Sequence, residues 1–220
     1  MIMTLGDDIS VETQRKIRQW CRLLEQTELE GIIDWLPTYT NITFYYAPDV
    51  WEYDQLVRYL QHLADRLEPS AHIHVRVHEI PVCYGGEFGP DLAEVADYHG
   101  LRAEEVIEIH TAPQYLVYMI GFAPGFPYLG GMSPAIATPR LAEPRAKIPA
   151  GSVGIAGAQT GIYPLESPGG WRIIGRTPLS LFTVEREPPS LLKAGDQVRF
   201  RPISRDEYVA IKEAQTSEGK

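Results

Sequence analysis

Residues 121–182 read GFAPGFPYLGGMSPAIATPRLAEPRAKIPAGSVGIAGAQTGIYPLESPGGWRIIGRTPLSLF, and they hold 11 of the 19 glycines and 9 of the 18 prolines. Glycine permits positive φ and close backbone approach, whereas proline fixes φ and removes a donor. Phe122, Phe126, Tyr128, Ile155, Tyr163, Trp171 and Leu181 are interleaved with them and need burial. Such a stretch predicts a series of shaped loops on a rigid scaffold, the usual carrier of function. Arg140, Arg145, Lys147, Arg172 and Arg176 face only Glu143 and Glu166 here, so the segment is positive within a chain of net charge −9.

Outward from that segment, Ser152–Ala156, Trp171–Ile174 and Gln197–Pro202 read as short strands between turn signals, with Tyr115–Phe122 leading in. Short strands punctuated by Gly and Pro predict a closed or nearly closed barrel. Asp91–His99 predicts a helix closed by Gly100, Arg102–His110 a second, and Arg205–Ala214 a terminal one. Upstream, Met1–Thr4 is a strand tail and Ser10 caps a helix over Val11–Gln26, with Ile17, Trp20, Cys21, Leu23 and Leu24 on its apolar face. Ile32–Tyr39 and Ile42–Tyr46 read as strands, Tyr53–Leu67 as an amphipathic helix, and His72–Val82 as an alternating strand. The order strand-helix-strand-strand-helix-strand predicts a split βαβ sandwich. The expected organisation is an α+β domain over residues 1–78 followed by a mainly β barrel domain over residues 79–220.

Composition narrows the function. With 220 residues and 44% hydrophobic content, the chain has enough apolar material for a sizeable core. No apolar run approaches the ~20 residues that span a bilayer, and MIMTLGDDIS lacks the basic and apolar regions of a signal peptide. No membrane association and a cytoplasmic location are the expectation. Both halves are acidic, so phosphate neutralisation and nucleic-acid binding are not expected. Cys21 and Cys83 read as two reduced thiols.

The candidate chemistry has bland counterparts. His72, His74 and His78 share one face of an alternating strand, where a solvated face competes with zinc; no metal is expected. Gly151, Gly154 and Gly157, with Ser152 among them, suit either a tight barrel corner or a backbone nest for an anion. Gln159, Thr160, Gly161 and Tyr163 offer an amide, a hydroxyl and a phenol, and Ser167, Gly169 and Gly170 a further hydroxyl on a turn. Arg140, Arg145 and Lys147 form a spaced basic cluster that suits a carboxylate or phosphate, or simple solvation. His110 ends a helix, a favourable place for a charged imidazole, and is the remaining candidate for catalysis with Gln159, Thr160 and Tyr163. Residues 121–182 contain no Cys or His, so chemistry there uses hydroxyls, carboxylates and cations, or groups from another chain.

Five ordered motifs lie between Glu79 and Trp171: Glu79–Leu92 (EIPVCYGGEFGPDL), Gly121–Leu129 (GFAPGFPYL), Pro149–Gly157 (PAGSVGIAG), Gln159–Pro164 (QTGIYP) and Ser167–Trp171 (SPGGW). Together they resemble the allophanate hydrolase subunit 1 family, which includes Kip-type sensor histidine kinase inhibitors and the B subunits of 5-oxoprolinase. The short Met1–Thr4 strand departs from the family pattern. The resemblance implies an N-terminal α+β domain and a cyclophilin-like barrel domain. It also implies two partners, the 5-oxoprolinase C subunit (of the subunit 2 family), with which a composite site forms, and the A subunit. The activity implied is ATP-dependent opening of 5-oxoproline to glutamate by the assembled complex. Inhibition of sensor histidine kinase autophosphorylation is one alternative, and a carboxyltransferase-like role in a urea- or allophanate-type amide-metabolising complex is another. Phe122, Pro124, Phe126, Tyr128 and Trp171 are the candidate partner surface, and the basic cluster with the glycine segment is the candidate anion site.

Overall fold

A computed structural model describes residues 1–8, 10–67 and 76–218, which divide into two compact units, Met1–His74 and Val75–Lys220. In the first, β1 (Ile2–Thr4), β2 (Ile32–Pro37) and β3 (Asn41–Tyr46) form an antiparallel sheet in the order β1-β3-β2. Helices α1 (Val11–Glu25) and α2 (Tyr53–Ala64) cover one face of it. Ser10 caps α1, its Oγ accepting from the Thr13 N–H at 3.2 Å. Strand alternation turns Ile42 and Phe44 of β3 inward, against Ile17, Trp20 and Leu24 of α1 and Leu56, Leu60 and Leu63 of α2. Each such side chain contributes about 1.5–3 kcal/mol on burial.

The second unit is a closed barrel. It is built from β4 (Val77–Tyr84), β5 (Tyr115–Ile120), β6 (Pro127–Gly130), β8 (Ser152–Ala156), β9 (Gln159–Ile162), β11 (Arg172–Arg176) and β12 (Gln197–Pro202). Their order is β11-β4-β12-β5-β6-β9-β8, and β8 closes the ring on β11. Only β4 and β12 run parallel among these pairs, from Val77↔Gln197 to Val82↔Pro202. Two short strands, β7 (Arg145–Ile148) and β10 (Ser167–Gly169), form a separate antiparallel pair. Helices α3 (Leu92–His99) and α4 (Ala103–Thr111) pack on the barrel, and α5 (Arg205–Glu218) follows β12. Gly100 ends α3 in the left-handed region at φ 66°, which a residue with a Cβ enters only with strain. The interior is filled by Val82, Val117, Val153, Ile155, Ile162, Ile174, Val198 and Phe200 among others.

The α+β unit followed by a barrel matches the expected fold class, with two differences in detail. The alternating stretch predicted over His72–Val82 does not go to the first sheet in its described part: Val77–Val82 belongs to β4 of the barrel, with Arg76 just before it. Alternation reveals a strand but not its sheet, and β4 finds its neighbours in β12 and β11, far along the chain. His72 and His74 lie outside the described residues. The segment 121–182 holds more strand than its composition predicts, because several glycines and prolines sit within ladders where neighbouring backbone or rings come close.

Candidate functional site

His110 stands inside the barrel, fully buried, at the end of α4. Its Nδ1 lies 2.8 Å from the Tyr84 hydroxyl and its Nε2 2.9 Å from Thr160 Oγ1. Thr160 Oγ1 donates to the Gly154 carbonyl at 3.0 Å, which leaves it an acceptor toward His110. Nε2 therefore carries the proton, and Tyr84 donates to Nδ1. Burial pushes the His110 pKa down to about 3 and the Tyr84 phenol well above its ordinary value, so both stay neutral. The ring stacks 4.6 Å from Phe200, and the Tyr115 hydroxyl donates to the His110 carbonyl at 2.6 Å. Every polar atom in this chain of contacts is satisfied from within. His110 and Thr160 are thus a buried structural network and are not placed to touch a ligand.

The outer face of the same strands is different. Beneath the β7–β10 pair, Phe126, Ile148, Ala156, Tyr163, Trp171 and Ile173 form a second apolar cluster. Phe126 is its centre, meeting Phe122, Tyr128, Tyr163 and Trp171 edge-on, with ring centroids 5.0–5.6 Å apart. A cavity of about 330 Å³ opens there. Its walls are Phe122, Phe126, Tyr128, Tyr163 and Trp171, with Pro144, Pro168, Gly169 and Gly170 along the hairpin side and Arg140 at the edge. A Cβ on Gly169 would collide with the Tyr163 hydroxyl, so glycine is what lets β10 close over the phenol. Gly161 passes beneath Phe126 and Trp171 in the same way. Burial raises the Tyr163 pKa, while the Trp171 backbone N–H and the Arg140 charge pull it back.

The basic cluster does not act as one. Arg145 donates from Nη1 to Asp91 Oδ2 at 2.8 Å and from Nη2 to Oδ1 at 2.6 Å. Asp91 is 1% exposed and also accepts the Ile173 N–H at 2.6 Å. This clamp fixes the start of α3 to β7 and β11, so Arg145 is a structural cation rather than an anion ligand. Lys147 pairs with Glu166 at 3.0 Å in the open, and Arg172 pairs with Glu94. Arg176 lies over the Phe88 ring. Arg140 alone of the three predicted cations has no carboxylate partner among the described residues; its guanidinium sits 5.9 Å over the Trp171 ring.

The glycine segment is likewise strand, not nest. Ser152–Ala156 is laddered to β9 and β11, the Gly151 amide donates to Tyr163 O at 2.7 Å, and the Gly157 amide to Thr138 O at 2.8 Å. Gly154 accepts a hydrogen bond from Thr160 Oγ1 on its carbonyl. Ser152 and Ser167 have buried hydroxyls without hydrogen-bond partners. Gln159 sits at the start of β9, outside the cavity walls. Phe122 is 67% exposed at the cavity mouth, beside Pro124, and holds a left-handed φ of 67°. For a bulky side chain that conformation is costly, and it is the kind of strain found at working sites.

The family described as "Carboxyltransferase domain, subdomain C and D" matches residues 1–192. The chain belongs to this family. That agrees with the resemblance its five motifs carry. Among curated members, the 5-oxoprolinase B subunit of Bacillus subtilis (strain 168) is 45% identical over 225 residues, covering 97% of this chain and 93% of that protein. The protein of the same name from Escherichia coli O157:H7 is 43% identical over 92% of this chain and 91% of its own length. Among solved structures, TTHA0988 superposes with a TM-score of 0.82 at 38% identity, covering 93% of this chain and 40% of that one. The chain thus spans about two-fifths of that longer polypeptide.

In this member of the carboxyltransferase subdomain C and D family, Pro144 and Pro168 line the cavity and Asp91 anchors Arg145 of β7, and none of the three stands out in the sequence as a candidate site residue. Asp91 stands at the N-terminus of α3, where an acid reads as a cap, yet its side chain makes no capping hydrogen bond. Among the described residues, no group of three or more His, Cys, Asp or Glu could hold a metal ion, and no helix is long and apolar enough to cross a membrane. His78 hydrogen-bonds Asp196 at 3.1 Å, and both cysteines are free.

Proposed function

We propose that this chain is the B subunit of an ATP-dependent 5-oxoprolinase, opening 5-oxo-L-proline to L-glutamate together with an A and a C subunit. The observation that carries it is whole-length similarity, 45% identity over 97% of this chain and 93% of a curated 5-oxoprolinase B subunit. The cavity fits a share in catalysis rather than the whole of it. Among the described residues its walls contain aromatic rings, two phenols and a guanidinium, but no His, Cys, Ser, Asp or Glu. Nucleophilic or general-base chemistry needs such groups within hydrogen-bond reach of the reacting atom. Those groups, and the handling of ATP, fall to the partners in a composite site. Coupling to ATP gives the complex its direction.

The test is reconstitution. The expected outcome is ATP-dependent glutamate formation by the A, B and C subunits together and none by this chain alone. Full activity of the isolated chain, or no activity of the assembled set, contradicts the reading. A regulatory role draws on a different observation, the exposed aromatic Phe122 at the cavity mouth, a form of surface that suits a protein partner. Sensor histidine kinase autophosphorylation that is unchanged at excess of this chain removes that second reading.

A further inference from the structure

We propose that the cavity between the β7–β10 pair and the outer face of the barrel binds a small ring-shaped carboxylate, with the carboxylate on Arg140 and the ring among Phe122, Phe126 and Trp171. This rests on the reading above that the chain serves a 5-oxoprolinase, and it places recognition of the substrate's carboxylate within this chain.

Three observations lead there. First, Arg140 is the cation at this cavity and has no counter-carboxylate among the described residues, whereas Arg145, Lys147 and Arg172 each hold one. A planar guanidinium already docked over an indole presents its N–H fork to a carboxylate without further ordering. Second, the cavity's volume, about 330 Å³, lies at the low end of the small-molecule range of roughly 300–1,000 Å³. Its edge-on rings form flat apolar walls that suit a five-membered ring and offer no second charge. Third, Tyr163 lines the same cavity, and its phenol is near enough to Arg140 for that charge to act on its ionisation. Phe122 completes the mouth from a strained, exposed position, and a ligand would bury its ring. Charge complementarity with a single anionic group, in a space of this size, favours a small molecule over a polypeptide segment.

The experiment is calorimetric titration of the full chain with 5-oxo-L-proline and with 2-pyrrolidinone, the same lactam ring without its carboxylate. The expected result is binding of 5-oxo-L-proline at least tenfold tighter than 2-pyrrolidinone. Arg140→Ala is expected to lose at least tenfold, Arg140→Lys less, and the exposed control Arg58→Ala nothing, all with unchanged melting temperatures. Equal affinity for the two compounds, full affinity in Arg140→Ala, or no binding by the folded wild-type chain overturns the proposal. So does occupation of the cavity by a proline-containing peptide with blocked termini in place of 5-oxo-L-proline. Activity of the assembled complex is read separately. A complex that opens 5-oxo-L-proline while this chain fails to bind it removes this proposal and leaves the functional reading standing. An inactive complex built on a chain that binds does the reverse.

Discussion

The two faces of the barrel wall handle polar groups in opposite ways. Inside, Tyr84, His110, Thr160 and the Gly154 carbonyl form one line of donors and acceptors that ends within itself. Outside, at the cavity beside β7 and β10, Arg140 lies over Trp171 with no carboxylate partner among the described residues. A self-satisfied network in a dry interior holds the fold. A cation without a counter-charge beside a cavity can take one from a ligand. The histidine, the residue type most often invoked for catalysis, is here on the structural side of that division. Arg140, a short way before the Arg145 that clamps Asp91, is the residue proposed for the functional side.

The contrast can be broken most forcefully at the clamp. Arg145→Ala leaves the buried Asp91 carboxylate with only the Ile173 amide. The expected cost is about 2–3 kcal/mol, below the roughly 3–5 kcal/mol of a fully buried pair because Arg145 is partly exposed. Chemical denaturation checks it, and a loss under about 0.5 kcal/mol, the usual scale of a surface change, would return Arg145 to the ligand side. Thr160→Val keeps the shape of the interior but strands the His110 Nε2–H and the Gly154 carbonyl. A cost of about 1–3 kcal/mol is expected, with little effect on affinity for any cavity ligand. The same network makes a pH prediction. His110 has its folded pKa lowered to about 3 from an ordinary value of 6.5, so its contribution is fully present above pH 6.5. Below that the unfolded chain takes up the proton first, and stability falls by up to about 1.4 kcal/mol per pH unit until the pH nears the folded value. Melting temperature against pH for wild type and His110→Gln reads this directly; identical slopes would mean that His110 is not held neutral. At the small end, Lys147→Ala removes an exposed pair with Glu166 and should change stability by about 0–1 kcal/mol.

Much of the scaffold is legible in the sequence because its signals are local. Ser10 announces α1, Gly100 ends α3, and the apolar run of β8 and the alternation of β12 are complete within their own residues. The hairpin strands are not legible. β7 and β10 are four and three residues long, and β10 reads Ser-Pro-Gly, a turn by composition. They become strands only because Ser167 finds Ile148 and Gly169 finds Arg145 across the pair. The site divides the same way. Aromatic residues in a glycine-rich segment mark where a cavity lies, and Phe126, Tyr128 and Trp171 do line it. Which cation is left without a carboxylate there is decided by partners the sequence hides, since Asp91 lies 54 residues from Arg145. Spacing put Arg140, Arg145 and Lys147 together; pairing separates them.

The most direct measurement of the central claim is kcat/KM for 5-oxo-L-proline in the reconstituted complex carrying Arg140→Ala, beside the melting temperature of the same variant. A ring carboxylate held by Arg140 predicts a loss of about ten- to a hundredfold, the scale of one charge-assisted contact worth about 1.5–3 kcal/mol, with the melting temperature unchanged and Arg140→Lys restoring only part. An Arg140→Ala complex that turns over 5-oxo-L-proline as wild type does would contradict the account.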